Sequence, residues 1–254
     1  MKTNMKTIFL AVGACLVAAG CSPLAPQPDH SKFFILTPLS DGAAPGVSPV
    51  SATKPLTIGI GPIEFPDYLR RLEVVTRTSP NELDLSPEKR WGEPLDKNFT
   101  RVLSENLSQL LNTQQLENYP WPRRTEVDYQ VAVDVLRFET SADGQSRLIA
   151  RWVIKDGRTG KDLSAAETNA SAPVGSGETA ASAALSNDLA SLSRDIAARI
   201  TELNQNHQRT ELRSRASTSG DLCRLGRRAP RSPAPAVAAD ALASPVACRD
   251  TCAA

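Results

Sequence analysis

Histidine is almost missing from this chain: there are two in 254 residues, His30 and His207. Neither falls in the stretch whose hydrophobic patterning reads as folded, so a Ser/His/Asp arrangement has no base to draw on there. Cysteine is absent from the same stretch, since Cys15 and Cys21 precede it and Cys223, Cys248 and Cys252 follow it. That excludes a disulfide framework for the core and metal sites of the paired Cys-x-x-Cys type. Charge of one sign is missing too: 29 basic residues face 28 acidic ones, a net charge of +1, which argues against a dedicated nucleic-acid binder. No H-E-x-x-H, Walker loop or G-x-S-x-G occurs, and neither a metal nor a cofactor is expected.

What is present begins with the stretch Arg90-Trp91-Gly92-Glu93-Pro94-Leu95 and the pattern that follows it. Leu95, Phe99, Val102, Leu103, Leu107, Leu110 and Leu111 recur at steps of three and four. That spacing places them on one stripe of an α-helix, with Lys97, Arg101 and Glu105 turned outward. Pro94 suits the first helical position, where no backbone N–H is needed. A second stripe, Leu185, Leu189, Leu192, Ile196, Ile200 and Leu203, predicts another amphipathic helix.

Strand patterns fill the rest of residues 32–204. They are Lys32–Pro38, Leu56–Ile63, Glu73–Thr78, Glu82–Ser86, Asp128–Glu139, Arg147–Ile154 and a more polar edge strand Lys161–Ser171. In the long Asp128–Glu139 run, strict alternation puts Tyr129, Val131, Val133 and Val135 on one face. Ala132, Asp134, Leu136 and Phe138 then share the other. Gly59 and Gly61 lack a third glycine and a following helix, so close backbone packing is expected rather than a nucleotide loop. The fold class is therefore α+β, with a mixed or antiparallel sheet of about six strands and two long helices on one face.

The two ends differ from the middle. Lys2 and Lys6 followed by the apolar run Ile8–Ala19 have the layout of a secretory signal over residues 1–20, too short to span a membrane comfortably. Residues 22–31 are Pro-rich and polar, which suits a tether at 21–31. Residues 205–254 hold eight arginines, four acids, many Ala and Pro and almost no large apolar residue. No core can form from that composition, and a disordered tail is expected, read either as a basic interaction segment or as a dispensable extension.

Ala18-Ala19-Gly20-Cys21 resembles the lipobox of bacterial lipoproteins, although Ala18 stands where leucine is commoner. The resemblance implies lipid attachment at Cys21, with Ser22 rather than Asp next to it leaving the protein free to be sorted to the outer membrane. The competing reading is an ordinary cleaved signal with an incidental cysteine. Further motifs follow in order: Phe33-Phe34-Ile35-Leu36-Thr37-Pro38, Ile58-Gly59-Ile60-Gly61-Pro62-Ile63-Glu64-Phe65-Pro66-Asp67-Tyr68-Leu69, Val75-Thr76-Arg77, Asn81-Glu82-Leu83, Arg90-Trp91-Gly92-Glu93-Pro94-Leu95 and Arg137-Phe138-Glu139. Over roughly residues 21–203 this set resembles the PqiC (YmbA-like) family of auxiliary lipoproteins of ABC-type and MCE-type transport systems. The resemblance implies a palmitate-bearing outer-membrane lipoprotein facing the periplasm. It also implies an MCE-domain protein as partner in lipid transport that maintains the envelope.

The residues singled out for contact are Pro66, Tyr68, Leu69, Arg90 and Trp91, because aromatics and arginine on loops are enriched where partners bind. The alternative is that Trp91 seats the first helix and Tyr68 caps a strand. Asp67, Glu73, Asp84, Glu93, Asp134 and Glu139 are the acids a glycosidase would pair, but no pattern brings two together and solvated charge is expected for them. The function that follows is a non-enzymatic, lipid-anchored transport component, with a sheet face and edge strand open to self-association. A cell-wall enzyme and a purely structural envelope lipoprotein are the alternatives.

Overall fold

Val131, Val133 and Val135 alternate inward along the longest strand, Tyr129–Ser141, and are 0–2% exposed. Alternation of β-branched residues is what a half-buried strand requires. This strand, β6, is the spine of a sheet in the computed structural model, which describes residues 29–39, 55–122 and 125–225, with side chains through Ser214. Among the described residues the other strands are β1 (Lys32–Phe34), β2 (Ile58–Glu64), β3 (Glu73–Ser79), β4 (Glu82–Trp91), β5 (Leu116–Asn118), β7 (Ser146–Asp156) and β8 (Asp162–Ala170). On one side β6 runs antiparallel to β7, which in turn pairs with β8, the polar edge strand. On the other side its first half pairs parallel with β2 and its end with β3, which leads on through β4 to β1. The sheet is thus mixed, with eight strands rather than about six. The short β5 was not foreseen, because three residues carry no readable alternation.

Two helices cover one face. Helix α1 spans Leu95–Leu111 and buries Leu95, Phe99, Val102, Leu103 and Leu107 of the predicted stripe, with Leu110 and Leu111 half-buried at its end. Pro94 sits just before it as the capping residue, and its carbonyl accepts from the N–H groups of Lys97 and Asn98 at 3.0 Å. The helix stops where Asn112 takes the left-handed conformation (φ 48°), which asparagine tolerates better than most residues. Helix α2 spans Ala180–Leu225 and buries Leu185, Leu189, Leu192, Ile196 and Ile200. Its Asp195 accepts from Thr168 at 2.7 Å and its Arg199 donates to Ser164 at 2.8 Å, which seats it over β8. It extends well past the expected end near residue 204. The backbone stays helical there without an apolar stripe, and the side chains from Gln205 to Ser214 are mostly exposed. Chain packing assigns residues up to Gln205 to one unit and those from Asn206 to another. The signal, most of the tether including Cys21, and residues 226–254 of the tail lie outside the described residues.

A β-bulge corrects the predicted faces of β6. Val135 pairs with Ala150 and Arg137 with Ile149, leaving Leu136 as an extra residue. One inserted residue reverses the alternation, so Phe138 joins the helix face, 1% exposed, instead of lying with Ala132 and Asp134. There its ring meets Phe99 edge-on at 5.3 Å, and Phe99 meets Phe65 in the same way at 5.2 Å. The glycines of β2 have the packing role expected of them. A Cβ on Gly59 would fall 2.9 Å from the Trp121 indole, and one on Gly61 (φ 115°) 2.7 Å from the Tyr119 Cβ.

Polar groups tie the segment after β1 to both helices. Asn98 and Asn106 of α1 accept from the N–H groups of Leu36 and Leu39, each at 2.8 Å, and Ser186 of α2 accepts from that of Thr37 at 3.1 Å. Asn106 also donates to Ser193 of α2 at 3.0 Å, so the buried amide is satisfied at both ends.

Asp188 is the exception within this interior. It is 1% exposed and its Oδ2 has no hydrogen-bond partner. Burial pushes its carboxyl up to about 6, outweighing the Ser146 hydrogen bond and the Arg147 charge that pull it down. With the folded value above the unfolded 3.8, the contribution of Asp188 to stability is complete below the unfolded value and is lost as pH rises through about 6. Asp188→Asn should therefore be more stable than the native chain at pH ~8, by up to ~3 kcal/mol, and show little difference near pH ~4. Denaturant unfolding at the two pH values measures this; a gain that is the same at both would contradict it.

Candidate functional site

The bulge that turns Phe138 inward turns Arg137 and Glu139 outward, onto the face without helices. Register then brings two arginines onto one carboxylate, with a third arginine on the neighbouring strand. Arg137 lies two residues before Glu139 on β6, Arg147 of β7 is its direct cross-strand partner, and Arg77 of β3 pairs with Ser141. Tyr68 reaches the same carboxylate from a single 3₁₀ turn, Asp67–Leu69, closed by the Leu69 N–H on the Pro66 carbonyl at 3.0 Å.

Glu139 is fully buried by this company. Its Oε1 accepts from Arg77 Nε at 2.5 Å and from Arg137 Nη2 at 2.9 Å, while Oε2 accepts from the Tyr68 hydroxyl at 2.6 Å. Burial works to raise the carboxyl, but the hydrogen bonds from Arg77, Tyr68 and Arg137 outweigh it and hold Glu139 below the usual carboxylate range. Tyr68 is pushed the other way, upward, first by burial and then by the bond to Glu139. Arg77 is raised by its bond to Glu139. Arg77 also donates through Nη1 to the Pro80 carbonyl at 3.0 Å, which fixes the plane of its guanidinium. The expectation of solvated charge fails for Glu139, because the bulge sets it beneath Tyr68 and between two arginines.

In front of these groups is an open groove of about 610 Å³, lined by Arg77, Thr78, Ser79, Pro80, Arg137, Ser141, Ala142, Asp143 and Arg147. Its two banks are the β3–β4 turn and the β6–β7 hairpin. Arg147 makes no hydrogen bond or ion pair among the described residues. No cluster of His, Cys, Asp and Glu that could hold a metal occurs among the described residues.

The sequence-predicted contact residues divide into two kinds. Leu69 and Trp91 are 2% and 3% exposed and belong to the hydrophobic core. As contact residues they are corrected: their side chains already face α1 and the sheet and present almost nothing outward. Pro66 and Tyr68 are half-buried. Arg90 lies in register between Phe33 of β1 and Glu73 of β3, 3.7 Å from the Glu73 carboxylate. Its Nε is buried without a hydrogen-bond partner. Tyr68 and Arg90 are thus tied to different carboxylates. Arg77, Arg137, Glu139 and Arg147 were not recognised as one site. The available signal was the charged pair Arg137-x-Glu139 flanking a large apolar residue, which in a strand marks two charges on the face opposite Phe138.

Comparison with known proteins adds a family. The model of the ABC-type transport auxiliary lipoprotein component matches residues 39–197. No curated protein matches the chain. Among solved structures, an uncharacterized protein is 23% identical with a TM-score of 0.50, covering 57% of this chain and 94% of its own. Protein XCC0632 from Xanthomonas campestris is 15% identical with a TM-score of 0.54, covering 70% of this chain and 98% of its own. At these identities both likenesses concern the fold alone.

Removing the central carboxylate leaves the arginines facing one another without compensation. Glu139→Gln should destabilise the domain by ~3 kcal/mol at neutral pH, the low end for breaking a buried pair because both guanidinia reach solvent. The folded carboxyl titrates below its unfolded value, so the native chain gains stability above the unfolded pKa and loses it as pH falls through the folded one. The difference between variant and native chain should accordingly shrink in acid. Urea unfolding across that range tests this, and a penalty independent of pH would contradict the charged state.

Proposed function

The chain belongs to the family of ABC-type transport auxiliary lipoprotein components, and from that premise we propose that it is a non-enzymatic docking component of an envelope lipid-transport system, held by acyl chains on Cys21 at the periplasmic face of the outer membrane. The observation that carries the reading is the conjunction of the family match over residues 39–197 with the lipobox-like Ala18-Ala19-Gly20-Cys21. No helix among the described residues is long and apolar enough to cross a membrane. An acylated Cys21 supplies attachment by another route. A lipobox cysteine carries a diacylglycerol and an N-acyl group, and more than one chain is what stable anchoring requires. Signal over residues 1–20, tether over 21–31, folded domain over 32–204 and a tail after it form the arrangement that fits this role.

The non-enzymatic part of the proposal is supported by the use made of Glu139. Its oxygens accept from three side chains and hold them, so it has no spare position from which to transfer a proton to a substrate. The partner is an MCE-domain transport protein, and the face offered to it is the Pro66–Tyr68 turn with Arg90, supported from beneath by Leu69 and Trp91. A turn fixed by Tyr68 on Glu139 docks with little ordering cost. The role served is maintenance of the envelope, with self-association through the β8 edge as a further property of the assembled state.

Two measurements test this. Cys21→Ala should release the protein into the soluble periplasmic fraction or leave it unprocessed, and unchanged association with outer-membrane fractions would sink the anchoring claim. Arg90→Ala should leave cooperative melting within a few degrees of the native chain while abolishing co-purification of the MCE-domain protein from detergent-solubilised envelopes. Full co-purification by that variant would remove Arg90 from the partner face.

A further inference from the structure

We propose that the groove between the β3–β4 turn and the β6–β7 hairpin is an anion site that takes a phosphoryl group. Three arginines from three strands line it, with Glu139 beneath Arg77 and Arg137 and Asp143 on the bank. The lining and the Glu139 carboxylate behind it together retain one surplus positive charge (three arginines less Asp143 and Glu139). The side chains of Arg77 and Arg137 are 20% and 30% exposed and line the groove, while Glu139, and for Arg77 also the Pro80 carbonyl, hold part of each guanidinium.

Two features select a phosphoryl group over a carboxylate. The arginines approach from β3, β6 and β7 rather than as a single fork, and Ser79 and Ser141 place hydroxyl groups on the two banks, while the Thr78 hydroxyl is used on the Glu82 carbonyl. A planar carboxylate is satisfied by one or two forks, whereas a tetrahedral anion offers three oxygens to donors arriving from different directions. The buried carboxylate accounts for the orientation. A buried ion pair is weak evidence for stability, but here it holds Arg77 and Arg137 in fixed planes before any ligand arrives. A volume of about 610 Å³ holds more than the phosphoryl group itself. A phospholipid headgroup and a soluble phosphate ester share the required chemistry. The proposal does not depend on acylation of Cys21 or on the identity of the transport partner.

The test uses the full mature chain purified in a non-ionic detergent, with calorimetry and thermal melting at matched ionic strength. The probes are inorganic phosphate, glycerol 3-phosphate, dihexanoylphosphatidylglycerol and glutarate. At least one phosphate-bearing probe should bind and raise the melting temperature, and glutarate should bind more weakly. The Arg147 side chain has no hydrogen bond to lose in the fold and only its charge acts on Asp188, so Arg147→Gln should still unfold cooperatively, within a few degrees of the native chain. It should nevertheless weaken the phosphate-bearing probe at least about tenfold, as loss of a charge-assisted hydrogen bond does. Dihexanoylphosphatidylglycerol binding about tenfold or more tighter than glycerol 3-phosphate would identify a lipid headgroup as the source, and equal binding a soluble ester. Absence of binding by every phosphate-bearing probe, equal binding of glutarate, or undiminished binding by Arg147→Gln would each overturn the proposal.

Discussion

Phe99 is held edge-on between Phe65 and Phe138, and the arrangement of both faces of the sheet follows from that contact. Three buried aromatic rings in T-shaped contact gain about 0.5–1.5 kcal/mol per pair beyond the area they bury. They also fix where α1 sits. For Phe138 to reach Phe99, β6 must change phase, and the extra residue Leu136 provides the change. The same inserted residue carries Arg137 and Glu139 to the opposite face. The hydrophobic core and the charged site thus have one geometric cause, and filling the core with Phe138 obliges the flanking charges to find partners outside it.

Those partners could have been water. Instead Tyr68, Arg77 and Arg137 enclose Glu139 completely. Desolvating a carboxylate costs several kcal/mol, and pairing offsets it only with good geometry. The geometry here uses both oxygens and comes from three separate segments of the chain. Arginine suits the arrangement better than lysine would, since one guanidinium can donate to the buried carboxylate and still present other N–H groups to the groove. A lysine in either place would satisfy the carboxylate as a point charge and leave the groove with no directed donors.

Much of this was legible from local pattern, and the failures have a common origin. The α1 and α2 stripes could be read because steps of three and four are set by helix geometry alone. Gly59 and Gly61 were legible as points of close packing, although Tyr119 and Trp121 as the groups packed there were not. Alternation in β6 held through Val135 and failed beyond it, because a bulge is set by what the strand must meet on either side, here Phe99, and not by the strand itself. Trp91 and Leu69 looked like contact residues because loop aromatics and turn residues are ambiguous until the sheet beneath them is known. The extension of α2 toward Leu225 was missed for a different reason. The expectation of disorder weighed the absence of an apolar stripe, and nothing in local propensity, with Ser217-Thr218-Ser219-Gly220 inside it, announces the helix there. The family was legible in motifs spread from Phe33 to Glu139, and Arg77, Arg137 and Glu139 lay within those motifs without revealing that they meet.

The place where the tether enters the domain constrains how the two faces can be used. Residues Leu36, Thr37 and Leu39 are hydrogen-bonded through their backbone N–H groups to Asn98, Ser186 and Asn106, on both helices. The N-terminal end is therefore held first by the pairing of β1 with β4 and then, behind it, by both helices. Given an acylated Cys21, the ten residues from Ser22 to Ser31 reach at most ~35 Å when fully extended. The groove lies on the face opposite the helices. The same N-terminal segment also joins the site strand β3 through β1 and β4, so the core around Phe99 and the sheet both link it to the Arg77–Glu139–Arg137 geometry.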